Sequence, residues 1–134
     1  MDKVVLDASL GIKWFLDEPE SARAREILDD LESGKLLAVA PKLFILEVLN
    51  GCRYSGKYES WELKYVLDRL WDLGINFVDE NDSLVREAIS FADDRDLTIY
   101  DSVYMALAKI NDCFLLTADA KHHKKEYWAK IKYL

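Results

Sequence analysis

Four carboxylates in this 134-residue chain stand where a solvated acid is not expected. Asp7 ends the apolar run Val4-Val5-Leu6, and Asp119 follows the apolar run Cys113–Leu116 within Leu115-Leu116-Thr117-Ala118-Asp119. Glu47 is embedded in Leu43–Leu49, whose other members are Leu, Phe, Ile and Val, and Asp101 opens the small and apolar stretch Asp101-Ser102-Val103-Tyr104-Met105-Ala106-Leu107-Ala108. Each alone has a local reading. Asp101 can be a helix N-cap, a role worth about 1 kcal/mol, although Tyr104 stands where a capping box needs Glu or Gln. Asp7 and Asp119 can be turn residues that accept from nearby backbone N–H groups. Glu47 can share a solvent-facing helix stripe with Asn50 and Tyr54. The four together point instead to convergence on one cleft. Their mutual repulsion there calls for a hard divalent cation with oxygen ligands, and a set without His or Cys favours Mg²⁺ or Mn²⁺ over zinc. Such an ion acidifies water and steadies the charge on phosphate oxygens, so the matching chemistry is phosphodiester hydrolysis.

The elements that must position these acids follow from hydrophobic periodicity. Val4–Leu6 reads as a buried strand because no polar residue alternates through it. Ser9 is placed to cap a short helix over Leu10–Leu16, and Pro19-Glu20-Ser21 opens a second helix with Ala24, Ile27, Leu28 and Leu31 at helical spacing, stopped by Gly34. Leu36–Ala40 is a second strand, and Pro41 precedes a helix over Leu43–Tyr54 that is too apolar for a surface helix. Ser60 is the expected cap of a helix carrying Leu63, Val66, Leu67 and Leu70, closed by Gly74, after which Ile75–Val78 forms a third strand. Another helix runs from Ser83 to Asp94, Asp101 begins the next, and Cys113–Leu116 is the fourth strand. A short helix near Lys121–Trp128 and an edge strand over Ile131–Leu134 complete the chain. Strands separated by helices predict an α/β fold whose mostly parallel sheet is covered on both faces, with any site beyond the carboxyl ends of the strands.

The length fits one domain over residues 1–134, and 51% hydrophobic with 32% charged residues excludes a disordered or low-complexity chain. The two cysteines, Cys52 and Cys113, suggest neither a disulfide framework nor a zinc site, so a reducing, cytoplasmic location is expected. No apolar run approaches the ~20 residues of a membrane helix, and no signal peptide is legible. A net charge of −7 disfavours a broad basic nucleic-acid face, but the distribution is uneven. Five lysines against Glu126 give residues 121–134 a net charge of +4 and leave −11 for residues 1–120.

Nearly the whole chain resembles the PIN-domain ribonucleases, and among them the VapC-type toxins of toxin–antitoxin pairs. The resemblance is carried by Val5-Leu6-Asp7-Ala8-Ser9 with Lys13-Trp14-Phe15, by Pro41-Lys42-Leu43-Phe44 with Glu47-Val48-Leu49-Asn50, by Tyr100–Ala108 and by Leu115–Asp119. It implies that Asp7, Glu47, Asp101 and Asp119 are the catalytic, metal-holding quartet, with Thr117 as an accompanying hydroxyl and Ser9 and Asn50 as supporting groups. It further implies a three-layer α/β/α fold with about five parallel strands, Mg²⁺- or Mn²⁺-dependent cleavage of RNA, homodimerisation, and a cognate antitoxin as partner. Ser102 stands where many members have Ala, and His122 falls near a position that the family often keeps apolar.

Other features have plainer readings. His122 and His123, within Lys121-His122-His123-Lys124-Lys125, read as part of a solvated basic face, since adjacent helical histidines point different ways. From that face Lys121, Lys124 and Lys125 are placed to hold RNA phosphates as point charges. Trp61, Trp71, Tyr65 and Tyr58 read first as core. Two rival functions differ in class: a module that keeps the fold and binds RNA or a protein without cutting, and an aspartyl-phosphate phosphatase. The second is disfavoured because Asp7-Ala8-Ser9 lacks an acid two residues after Asp7.

Overall fold

The computed structural model describes residues 2–124 and 130–134. In chain order the elements are β1 (Asp2–Leu6), α1 (Ala8–Phe15), α2 (Ser21–Glu32), β2 (Leu36–Pro41), α3 (Leu43–Tyr54), α4 (Ser60–Asp72), β3 (Asn76–Val78), α5 (Asp82–Arg95), α6 (Ile99–Ile110), β4 (Phe114–Thr117) and β5 (Ile131–Tyr133). The five strands form one parallel sheet in the order β3-β2-β1-β4-β5. Successive strand residues point to opposite faces, so the full burial of both Val5 and Leu6 means that helices cover the sheet on each side. The expected three-layer α/β architecture is what the chain adopts.

β1 is central and its two neighbours, β2 and β4, lie on opposite sides. Chain direction across the sheet therefore switches at β1, and the crevice beyond the carboxyl ends of β1 and β4 is where such a sheet offers a site. Register brings Leu6 opposite Leu116, and the Asp7 N–H extends the ladder to the Leu116 carbonyl at 3.0 Å. The residues that follow these two strands thus meet.

Helix α3 is held close to α1 by two glycines. A Cβ on Gly11 of α1 would stand 2.6 Å from Phe44 Cζ and 2.8 Å from Val48 Cγ2, and one on Gly51 of α3 would stand 2.6 Å from Ile12 Cδ1. This approach fixes the face of α3 that carries Glu47 relative to the start of α1. Gly34 and Gly74 stop their helices with φ of +79° and +78°.

Several boundaries depart from expectation. Ser9 lies inside α1 rather than capping it, because Asp7 takes the cap position and α1 starts immediately after β1. Glu59, not Ser60, caps α4, where a capping box with Glu62 satisfies two terminal N–H groups at once. Helix α6 starts at Ile99 under a Thr98 cap, two residues before Asp101. Residues 121–124 form a turn rather than a helix, and the remainder of the expected Lys121–Trp128 helix lies outside the described residues. The edge strand is present, paired with β4. The aromatic residues of α4 are not core: Trp61 is 70% exposed, and Tyr65 and Trp71 are also exposed, because the stripe buried against the core is Val66 and Leu70. Likewise α3 is not enclosed, since Leu46 on its outer side faces solvent. Among the described residues no helix is long and apolar enough to cross a membrane.

Candidate active site

Asp7 is 5% exposed, and every polar contact on its carboxylate comes from another part of the site. Oδ2 accepts from the Ser9 hydroxyl at 2.5 Å and from the Thr117 hydroxyl at 2.9 Å, while Oδ1 lies 3.2 Å from His123 Nε2. The two hydroxyls have second tasks. Thr117 Oγ1 accepts from the Asp119 N–H and Ser9 Oγ accepts from the Ala118 N–H, so together they tie the turn after β4 to the end of β1. Ser9 and Thr117 thus both contact Asp7 and brace the turn that carries Asp119.

Asp119 organises the turn that follows. Its Oδ1 accepts from the Lys121 and His122 N–H groups, its Oδ2 pairs with His122 Nδ1 at 2.7 Å, and its carbonyl accepts from the His123 N–H. That turn delivers the His123 ring against Asp7, where it is 1% exposed. The local turn reading of Asp119 therefore holds alongside its place in the cleft. The N-cap reading of Asp101 does not, because Thr98 caps α6 and its hydroxyl accepts from the Asp101 N–H at 3.1 Å. Asp101 sits in the first helical turn, where the helix dipole favours a carboxylate.

Glu47 projects from α3 toward α6, where the Tyr104 phenol donates to its Oε1 at 2.5 Å. Asp7, Ser9, Glu47, Asn50, Asp101, Asp119 and His123 line a single cleft of about 280 Å³. The structure thus brings all four expected acids and Asn50 to one place, with Thr117 buried directly behind. Lys121 and Lys124 are exposed beyond Asp119 and do not line the cleft, and Lys125 lies outside the described residues.

The electrostatics reflect crowded carboxylates. Burial, reinforced by the charges of Asp7 and Asp101, pushes the Glu47 carboxyl above its ordinary range despite the Tyr104 hydrogen bond. Burial would also raise Asp7, but the hydrogen bond and charge of His123, with Ser9 and Thr117, hold it below the ordinary value. Burial would lower His123, yet the hydrogen bond and charge of Asp7, aided by Asp101 and Asp119, raise it. The sign of the resulting pH dependence follows. The Asp7 contribution is present above 3.8 and is lost as pH falls through its lowered folded value, while that of His123 is present below 6.5 and is lost as pH rises through its raised folded value. In metal-free protein the stability advantage of wild type over His123→Phe, read by urea unfolding, is expected to be larger at about pH 5.5 than at about pH 9. An advantage that does not change across that interval would mean that no charged pair forms.

His123 and Tyr104 are the site residues that sequence reasoning missed. The signal for His123 was available in the doublet itself, since one of two adjacent histidines can be exposed while the other is buried. For Tyr104 it was a hydroxyl on an otherwise apolar helix face, which a buried tyrosine must satisfy.

The lining fits a hard divalent cation: beside the His123 ring, which is held against Asp7, it presents four carboxylates and the Asn50 carboxamide, whose oxygens are hard donors. Among the described residues no three His, Cys, Asp or Glu side chains stand close enough to enclose an ion.

No curated protein matches the sequence. Solved structures do match in fold. A chain of a toxin–antitoxin complex from Klebsiella pneumoniae superposes with a TM-score of 0.70 at 15% identity, covering 96% of this chain and 95% of that one. A chain of VapBC2 from Rickettsia felis bound to a DNA fragment from their promoter superposes with a TM-score of 0.66 at 12% identity, covering 98% of each. The family model for the PIN domain matches residues 4–126, a span from β1 through the turn after β4 that contains Asp7, Glu47, Asp101 and Asp119. By that match the chain belongs to the PIN-domain family.

Proposed function

We propose that this chain is a divalent-metal-dependent endoribonuclease and the toxin of a toxin–antitoxin pair. The observation that carries the reading is the gathering of Asp7, Glu47, Asp101 and Asp119 in one cleft at the switch point of a parallel sheet. These four side chains would hold Mg²⁺ or Mn²⁺. Bound there, the ion supplies positive charge for the phosphate oxygens and lowers the pKa of water. Asp7 is pinned by two hydroxyls, so its orientation is set before any ion arrives. The Asn50 carboxamide at the cleft wall can donate to a phosphate oxygen, and the first turn of α6 presents the positive end of a helix dipole to the same space. Lys121, Lys124 and Lys125 are proposed to hold phosphates further along the RNA.

The antitoxin part of the reading is supported by the two structural neighbours, one from a toxin–antitoxin complex and the other from VapBC2. A homodimer is part of the same reading. An exposed apolar groove of about 560 Å³, lined by Leu46, Leu49, Leu67, Trp71, Ile99 and Tyr100 among others, supports contact with a protein partner.

Thermal unfolding with and without millimolar Mn²⁺ tests the metal site without choosing an RNA. A ligand that binds only the folded form stabilises it by about 2.7 kcal/mol at a hundredfold excess over Kd. Wild type is expected to gain stability with Mn²⁺. Asp101→Asn is expected to be at least as stable as wild type without metal, because one repelling charge is gone, and to gain little with it. If Mn²⁺ shifts neither protein, the cleft is not a metal site and a non-cleaving binding module becomes the better reading.

A further inference from the structure

We propose that Tyr104 is a positioning residue for the candidate metal site, its phenol holding the Glu47 carboxylate in the orientation in which it meets the cation. This inference rests on the metal-dependent reading above. Tyr104 is 1% exposed, deep in α6, and its hydroxyl reaches across to α3 to donate to Glu47 Oε1 at 2.5 Å. Glu47 needs such a partner more than Asp7 or Asp119 does. Asp7 is pinned by two hydroxyls and a ring nitrogen, and Asp119 by two backbone N–H groups and His122, whereas the Glu47 carboxylate ends a longer and more flexible side chain. With Oε1 engaged by the phenol, Glu47 lines the cleft with Oε2 as the oxygen left for a cation.

Tyr104 is also placed to hold the two sides of the cleft in register. It lies three residues after Asp101, on the next turn of α6, and its ring meets the His123 ring edge-on with centroids 6.1 Å apart. One helix therefore delivers a carboxylate, Asp101, and a buried phenol that touches a second, Glu47, and the ring paired with a third, Asp7. A core tyrosine whose only task was to fill space would serve as well as phenylalanine, and the hydroxyl at this position would be superfluous.

The test is a double-mutant cycle read by calorimetric titration of Mn²⁺ into wild type, Tyr104→Phe, Glu47→Gln and the double variant, with thermal unfolding of the metal-free proteins alongside. Phenylalanine keeps the ring and its packing, so Tyr104→Phe removes only the donor. Loss of a hydrogen bond that orients a metal ligand typically weakens metal affinity by about 10- to 100-fold, and a weakening of about tenfold is expected here. In the Glu47→Gln background the same substitution is expected to change Mn²⁺ affinity less than about twofold, because the two residues act as a unit. A role in packing alone would lower affinity equally in both backgrounds, and that result overturns the proposal, as does unchanged or tighter Mn²⁺ binding by Tyr104→Phe. Wild type that binds no Mn²⁺ overturns the metal-dependent reading itself, and the proposal with it, and is distinguishable because it appears before any variant is compared.

Discussion

Asp7→Asn is expected to lower Mn²⁺-dependent RNA cleavage by at least about 10³-fold, with the protein still folded, since the charge stabilisation a bound metal provides is worth several kcal/mol. Asparagine has the shape of aspartate, and its one oxygen can still accept from the Ser9 and Thr117 hydroxyls, which donate to Oδ2 in wild type at 2.5 and 2.9 Å. The charged contact with His123 is lost, at a cost of about 1–3 kcal/mol, within the stability of an ordinary domain. What asparagine cannot replace is negative charge at the one acid that sits at the carboxyl end of the central strand and is buried almost completely. Raising Mn²⁺ should therefore restore little of the activity. The measurement is cleavage of an unstructured RNA at saturating Mn²⁺, with circular dichroism to confirm folding. A folded Asp7→Asn protein that cuts within about tenfold of wild type would remove Asp7, and with it the four-acid reading, from the chemistry.

Much of this site was legible because its acids violate local pattern. A carboxylate that ends a run such as Val4-Val5-Leu6, or interrupts Leu43–Leu49, has no reason to be there on grounds of periodicity, and each stands at an element end or face that a parallel sheet brings to one edge. The same logic could not reach Tyr104 and His123, because their types agree with their surroundings in sequence. Tyr104 looks like one more inward residue of α6, and His123 looks like one more member of a Lys-rich segment. Only the tertiary fold places Tyr104 against a residue 57 positions earlier and His123 against one 116 positions earlier. Cap positions shifted by one to three residues for a different reason. Glu59, Ser60 and Glu62 all have side chains able to accept at a helix start, and the capping box selects the pair that satisfies two N–H groups instead of one. The aromatic residues of α4 form a second apolar stripe, Trp61 with Tyr65 at i and i+4, beside the stripe of Leu63, Val66, Leu67 and Leu70. Sequence periodicity identifies both stripes and is silent on which one the sheet will cover.

The second large effect is expected at a residue with no side chain, in Gly11→Ala. The added Cβ would meet Phe44 Cζ at 2.6 Å and Val48 Cγ2 at 2.8 Å. Neither neighbour can yield easily, since both are fully buried and the Phe44 ring is wedged between Trp14 and Phe77 at centroid distances of 6.1 and 6.0 Å. Overpacking of this kind costs about 1–3 kcal/mol, against which alanine recovers up to about 1 kcal/mol of helix propensity, so the net effect is a destabilisation. The larger consequence is geometric. Relief of the clash moves α3 away from α1, and Val48 is the immediate neighbour of Glu47, so the displacement carries Glu47 and Asn50 away from Asp7 and Ser9 across the cleft. A misplacement near 1 Å in a catalytic constellation can cost about 10²-fold in rate, and a loss of that order is expected for RNA cleavage. Gly34→Ala is the matched control. There the added methyl meets open space, and the cost is that of a left-handed backbone, φ +79°, at the end of α2. Both variants should therefore lose stability in thermal unfolding, but only Gly11→Ala should lose activity beyond its unfolded fraction. Equal activity in the two, once corrected for folding, would show that the α1–α3 approach does not set the width of the cleft.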